Sequence, residues 1–280
     1  MERTRRLAPQ QVESYRRNGI LFPIPALTPG EVSDFRSAVE DLERRLGGKP
    51  APVQMAQPQL HFRWAYDLAT HPAVLDAIED VLGPNILIHS ASIFSKHPHT
   101  PDYVSWHQDG YYWELDEPRL ASAWIALTDS TAENGCMRVV PGSQEHRRLP
   151  HNSSPGAKDN LLAIGLEIAV EVAESEALDV VLRAGEMSLH HVNIVHGSNP
   201  NRSGGKRIGF AVRYVAPEVR QTLEHHEVLL ARGRDDHHHY RVLEGPPAYT
   251  LEEGLAAQAE FSRRRIKARI GNLGSAPQGS

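Results

Sequence analysis

Residues 207 to 215 alternate without a break: Ile208, Phe210, Val212 and Tyr214 fall on one side of an extended chain, Arg207, Gly209, Ala211 and Arg213 on the other. Period two is the pattern of a β-strand whose faces meet different surroundings. One face is apolar enough to join a core. The other sets guanidinium groups beside very small residues, which suits a barrel holding a ligand: a charged anchor with room next to it. Further short β-rich runs, at 86–94, 120–127, 136–140, 167–172, 178–182 and 187–195, are separated by Gly, Pro, Asn and Asp, and this spacing predicts a β-sandwich or barrel over about 85–220. Glu133-Asn134-Gly135 is expected to supply a hairpin turn, because Asn-Gly accepts the positive φ angles of a tight two-residue connection.

The first third, about 9–84, reads as helix instead. Thr28-Pro29-Gly30-Glu31 is a capping box with proline at the first helical position, followed by Val32, Phe35, Val39, Leu42 and Leu46 at helical spacing until Gly47-Gly48. A second helix is predicted after Pro72, with a Pro- and Gln-rich loop over 49–60 between the two. Beyond 220 the pattern weakens into an extension, 221–280, with a basic helix from about 251 and a tail from Gly274 to Ser280 expected to be disordered. One domain covering 1–280 is the simplest organisation, since all-β units often reach this size.

A net charge of -5, from 35 acidic and 30 basic residues, provides no basic stripe of the kind nucleic acid requires. No apolar run approaches the roughly 20 residues of a membrane span. The first residues lead into a polar helix, and the single cysteine, Cys136, forms no internal disulfide. The expectation is a cytoplasmic protein without nucleic-acid or membrane partners. Histidine, at 16 residues, directs attention to a metal site.

In Trp106-His107-Gln108-Asp109-Gly110, His107 and Asp109 are two apart, so on an extended segment both side chains point the same way. His196 follows much later, in Val195-His196-Gly197-Ser198, at the end of a predicted strand. Two imidazoles and a carboxylate on one face of an ion leave the opposite face open, the facial triad that suits iron(II). The blander reading is a hydrogen-bonded core histidine and an aspartate capping the turn at Gly110. Arg207 heads the alternating strand a short loop after His196, where an antiparallel return would bring its planar, permanently charged guanidinium near the metal to clamp a carboxylate. Arg202 and Arg213 are the alternative anchors.

These residues resemble the phytanoyl-CoA dioxygenase family of iron(II)- and 2-oxoglutarate-dependent oxygenases. The resemblance runs through Tyr15-Arg-Arg-Asn-Gly-Ile-Leu-Phe-Pro, Trp106-His-Gln-Asp, Trp124-Ile-Ala-Leu, Glu133-Asn-Gly-Cys-Met-Arg-Val-Val-Pro-Gly-Ser, Gly185-Glu-Met-Ser-Leu-His-His and His196-Gly-Ser-Asn-Pro-Asn-Arg-Ser. It implies a mainly β double-stranded β-helix (jelly roll, cupin-like) with helices packed on one sheet. It also implies iron at His107, Asp109 and His196, the distal carboxylate of 2-oxoglutarate at Arg207, and Ser198 and Trp124 beside the co-substrate. The implied reaction consumes O2 and 2-oxoglutarate, releases succinate and carbon dioxide, and hydroxylates a small organic substrate of specialised metabolism, free or tethered to a carrier protein or CoA. The chlorinating branch of the family replaces the ligand carboxylate with alanine or glycine. Asp109 therefore favours hydroxylation over a halogenase-like role, although Gly185–His191 and Ile208–Tyr214 look closest to that branch.

Candidates for the substrate wall are His61, Arg63 and Trp64, His97 and His99, and Tyr111, Tyr112 and Trp113, because aromatic and polar groups beside an oxidant position substrate and exclude water. Trp64 and Trp113 equally suit core positions, His190-His191 competes with His196 as distal ligand, and His237–His239 reads as a solvated run. A jelly roll that binds metal or ligand without redox chemistry, or uses zinc hydrolytically, would employ the same three ligands.

Overall fold

The computed structural model describes residues 5–273 apart from 114, 117–118, 147, 155–156, 163–164, 173, 222–226 and 244; the tail expected beyond Gly274 lies outside the described residues. Helix α1 (Pro9–Asn18) leads into strand β1 (Ile20–Pro25), and α2 (Pro29–Arg45), α3 (Arg63–Ala69) and α4 (Pro72–Leu82) follow. The capping box at Thr28 forms: the Thr28 N–H donates to Glu31 Oε2 at 2.8 Å, and the Glu31 N–H donates to Thr28 Oγ1 at 3.4 Å. Then come β2 (Ile86–Lys96), β3 (Val104–His107), the single turn α5 (Gly110–Trp113), β4 (Leu120–Ala126), β5 (Met137–Val140), β6 (His151–Ser153), β7 (Leu166–Ile168), β8 (Leu178–Val180), β9 (Glu186–His191), β10 (Val195–Ser198), β11 (Arg207–Val215), β12 (Glu227–Arg232), β13 (Arg241–Leu243) and α6 (Leu251–Leu273).

The strands form a seven-stranded sheet, β1-β9-β4-β11-β2-β12-β13, facing a four-stranded sheet, β3-β10-β5-β8, with β6 and β7 as a separate pair. This is the expected mainly β jelly roll. Ile208, Phe210, Val212 and Tyr214 are fully buried in the core shared with Val39, Leu68, Ile78 and other helix residues, so the apolar face of β11 is where the helices pack. Its other face looks between the sheets. No helix of the described residues is long and apolar enough to cross a membrane.

Four expectations change. Ile20–Pro25, in the part read as helix, is an edge strand paired with β9. The run 187–195 is two strands: the chain turns at 192–194, so β9 stays in the large sheet and β10 enters the small one. Gly135 has the left-handed φ of +76° that an Asn-Gly turn predicts, yet β4 and β5 do not pair, because the turn carries the chain from one sheet to the other. The loop between β10 and β11 makes the reverse crossing, so Arg207 faces His196 across the cavity and not from a neighbouring strand. The extension beyond 220 supplies β12, which pairs with β2, and α6, where Gln258 Nε2 donates to the carbonyls of Gln54 and Ala56 at 3.0 and 2.9 Å.

Candidate metal centre

His107 ends β3 and His196 lies on β10, directly opposite it in the antiparallel register. Asp109 follows two residues later, on a segment held from both sides. Buried Gln108 donates through Nε2 to the Asn193 carbonyl at 2.7 Å and accepts at Oε1 from the Leu149 N–H at 2.8 Å, and the Gly110 N–H donates to the Val192 carbonyl at 2.8 Å. A side chain at Gly110 would meet Asn193 Oδ1 at 2.2 Å, so the Asp-Gly pair fits the turn between β9 and β10 as no larger residue would.

One ligand atom from each of His107, Asp109 and His196 lies within 4.8 Å of the others, and all three residues are buried. Nδ1 of His107 sits 2.9 Å from the Ser105 carbonyl, and Nδ1 of His196 is 3.0 Å from that of Ile194. A carbonyl only accepts, so Nδ1 carries a proton in both rings, and in the neutral form each Nε2 presents a lone pair. His107 Nε2 then faces Asp109 Oδ1 at 3.4 Å, two electron-rich atoms on buried side chains. A proton or a cation between them relieves that opposition, and a divalent ion fits both the spacing and the donor set. Burial opposes the Asp109 charge, but the Arg213 guanidinium beside it holds its carboxyl well below the usual value. Burial pushes His196 well down, leaving it neutral.

A family model described as phytanoyl-CoA dioxygenase matches residues 15–209. This chain belongs to the phytanoyl-CoA dioxygenase family. It is accordingly an iron(II)- and 2-oxoglutarate-dependent oxygenase acting on a small molecule. Among family relatives, the L-proline trans-4-hydroxylase of Streptomyces griseoviridis is 27% identical over 226 residues, 71% of this chain and 83% of that protein. A probable alpha-ketoglutarate-dependent hypophosphite dioxygenase of Stutzerimonas stutzeri is 28% identical over 168 residues, 59% of this chain; the match spans 58% of that relative's length. A solved structure, the non-haem monooxygenase ThoJ in its apo form, superposes with a TM-score of 0.77 at 32% identity, covering 94% of this chain and 99% of that one.

In this family member, a cavity of about 40 Å³ opens beside the triad, lined among others by Phe94, Trp124, His190, Ser198, Arg207 and Arg213. At one end Arg207, 2% exposed, donates through Nη1 to the Gly135 carbonyl at 2.5 Å and lies over the Trp124 ring, 5.3 Å from its centroid. Lys96, its register partner on β2 and fully buried, donates to Ser198 Oγ at 2.6 Å and to the carbonyls of Asn199 and Gly135. No ion pair to an acidic side chain forms at either cation among the described residues. Burial, followed by Arg207, lowers Lys96 to about 5, and burial lowers Arg207 to about 10. A buried guanidinium beside a lysine that is kept from charging is costly without an anion, so this end fits a carboxylate. The room expected next to Gly209 is already occupied: a Cβ there would fall 1.9 Å from the Trp124 ring, so the glycine seats the indole.

The substrate-wall candidates separate sharply. Trp113 lies by the triad, its ring centroid 5.8 Å from the Arg213 guanidinium carbon and 5.0 Å from His89. Tyr111, 40% exposed, stacks on His151 at 4.4 Å, and His151 Nε2 accepts from the Gln108 N–H. The side chain of Tyr112 lies outside the described residues. The others sit elsewhere: His61, Arg63 and Trp64 because the helical segment that carries them packs on the outer face of the large sheet, His97 and His99 because they follow the end of β2. His61 packs against Tyr249 and Phe261, Arg63 pairs with Asp67 at the surface at 2.7 Å, and Trp64 packs on Phe62 and on the outward-facing Phe210. His97 alternates away from Lys96 toward Lys206 and Glu43, and His99 occupies an exposed turn with φ +53°. Sequence reasoning overlooked Lys96 because the polar Ser95-Lys96-His97 made β2 look finished at 94; pairing with Arg207 carries it two residues further.

Proposed function

We propose that His107 and His196, through Nε2, and Asp109 hold iron(II), and that Arg207, Lys96 and Ser198 hold the distal carboxylate of 2-oxoglutarate, so that the enzyme hydroxylates an unactivated C–H bond of a small organic substrate of specialised metabolism. The observation that carries this reading is the convergence of His107 Nε2 and Asp109 Oδ1, 3.4 Å apart on buried side chains, with Arg207 and Lys96, neither paired with an acidic side chain among the described residues, at the far end of the same cavity. Iron with 2-oxoglutarate supplies an oxygen-activating centre that removes a hydrogen atom from carbon and releases succinate and carbon dioxide. The protein's part is positioning. The Ser105 and Ile194 carbonyls fix both imidazoles in the ligating tautomer. Arg207 and Lys96 set the direction in which a dicarboxylate lies, with the Ser198 hydroxyl free to donate its proton while accepting from Lys96. Phe94, Trp124 and Met137 line the cavity and keep bulk water from the reacting atoms. Asp109 occupies the position that chloride needs, which favours hydroxylation over halogenation. A thioester of CoA or a carrier protein is the narrower form of the substrate reading, and a cytoplasmic setting accords with the free, buried Cys136.

The test is uncoupled turnover: purified protein with iron(II), ascorbate and 2-oxoglutarate is expected to form succinate slowly without added substrate. Production no greater than that of His107→Ala would refute the reading.

A further inference from the structure

Arg207 and Arg213 share the inner face of β11, and at about 3.3 Å per residue their backbones are roughly 20 Å apart along the strand. Both line the cavity. The triad lies at the Arg213 end, where Nε of this arginine is 3.5 Å from Asp109 Oδ2. That separation is an ion pair without a hydrogen bond, and Oδ2 and Nε each lack a hydrogen-bond partner among the described residues. Arg213 is 8% exposed, donates through Nη1 to Ser92 Oγ at 3.2 Å, and has the rings of Phe94 and Trp113 each 5.8 Å away. An arginine built to orient Asp109 would grip it with short parallel hydrogen bonds; this one does not. When a metal takes up the Asp109 charge, no other acidic partner of Arg213 exists among the described residues.

His190 adds an independent observation. It is 2% exposed, lines the same cavity, and its ring centroid is 5.1 Å from that of His196. Neither ring nitrogen has a hydrogen-bond partner among the described residues. Buried imidazoles are ordinarily satisfied, so one with both nitrogens unmet on a cavity wall calls for a polar ligand. Arg213 on β11 and His190 on β9 both oppose Ser122 of the strand between them, so the two lie in one row across the sheet.

We propose that Arg213 and His190 form a second anion subsite, at the opposite end of β11's inner face from Arg207, which holds a free carboxylate of the substrate to be oxidised. The subsite gives the cavity two acid anchors with the metal position nearer the second, so the co-substrate is read at one end and the substrate at the other. A substrate held in this way presents a free acid, so a tether to CoA or a carrier protein would run through a second carboxyl group of the same molecule. The inference rests on the metal-site reading above.

The probe is sodium acetate, with acetamide as its neutral match, added to the full chain loaded with manganese(II) and saturating 2-oxoglutarate; the readout is paramagnetic relaxation of the methyl protons. Acetate is expected to show saturable enhancement and acetamide none. Arg213→Gln should weaken acetate binding about tenfold or more and His190→Phe several-fold, with metal and 2-oxoglutarate retained in both. Wild-type protein that keeps both ligands but shows no saturable acetate effect overturns the subsite alone, as does an effect unchanged in both variants. Loss of manganese from Arg213→Gln with normal acetate binding in His190→Phe would reduce Arg213 to positioning Asp109 and also overturn it. Failure of the wild type to bind manganese counts instead against the metal-site reading.

Discussion

The two arginines of β11 occupy the same face of the same strand and differ in what surrounds them. Arg207 is tied to the Gly135 carbonyl, stacked on Trp124 and paired in register with Lys96. Among the described residues, Arg213 has one side-chain hydrogen bond and a loose ion pair to the Asp109 carboxylate. The contrast separates a site built in advance from one completed by its ligand: the first has a buried guanidinium and the Lys96 amine fixed beside it before any ligand comes, and the second leaves polar atoms unmet until something arrives.

The sharpest way to break that contrast is to remove the prebuilt charge. Arg207→Gln should weaken 2-oxoglutarate binding about 100-fold, the upper end of the effect of a charged hydrogen-bonded pair, whereas Arg213→Gln should leave it within about twofold; calorimetry on manganese-loaded protein checks both. Equal losses would erase the distinction between the two ends. Gly209→Ala tests the seat of the indole: displacing Trp124 should cost about 1–3 kcal/mol, read as a lower unfolding midpoint, and an unchanged midpoint would mean the ring has another place to go.

A smaller effect distinguishes one cation from two. Burial, then Arg207, holds Lys96 near 5 in the free protein, against 10.5 ordinarily. The unfolded chain thus binds a proton that the folded one has lost, and this lysine costs stability increasingly as pH falls from 10.5 toward 5, with no further change below. A dicarboxylate that restores the ammonium takes up a proton on binding, so 2-oxoglutarate affinity should fall between pH 7 and 9, by at most about tenfold per unit. Lys96→Met should weaken binding about tenfold at pH 7 and flatten the dependence. A flat wild-type profile would leave Arg207 as the lone anchor. Smallest of all, Arg63→Ala removes an exposed pair and should change stability by less than about 0.5 kcal/mol, with no effect on 2-oxoglutarate; a raised KM would return Arg63 to the site.

The prebuilt end and the triad were legible in the amino-acid sequence because local rules place them. Alternation along 207–215 and the two-residue step from His107 to Asp109 decide which way side chains point wherever the strand ends up. The substrate end was not, because its members come together only through sheet pairing. His190 reaches the cavity through the register of β9 with β4, in which it opposes Ser122, and nothing local separates it from His191. Polar character near 95–97 hid Lys96 by ending β2 early. His61, Arg63 and Trp64 drew attention as a cluster of functional residue types, but their segment belongs to the helical layer behind the sheet.

The central claim is that one cavity holds a metal at His107, Asp109 and His196 and a dicarboxylate reaching from it to Arg207. Its most direct measurement is an anaerobic titration of 2-oxoglutarate into iron(II)-loaded protein, followed by the charge-transfer absorption that develops when a 2-oxo acid chelates iron. A saturable band at one equivalent per chain is expected, absent in His107→Ala and shifted to about 100-fold higher concentration in Arg207→Gln. A band that never develops, or one identical in all three proteins, would contradict it.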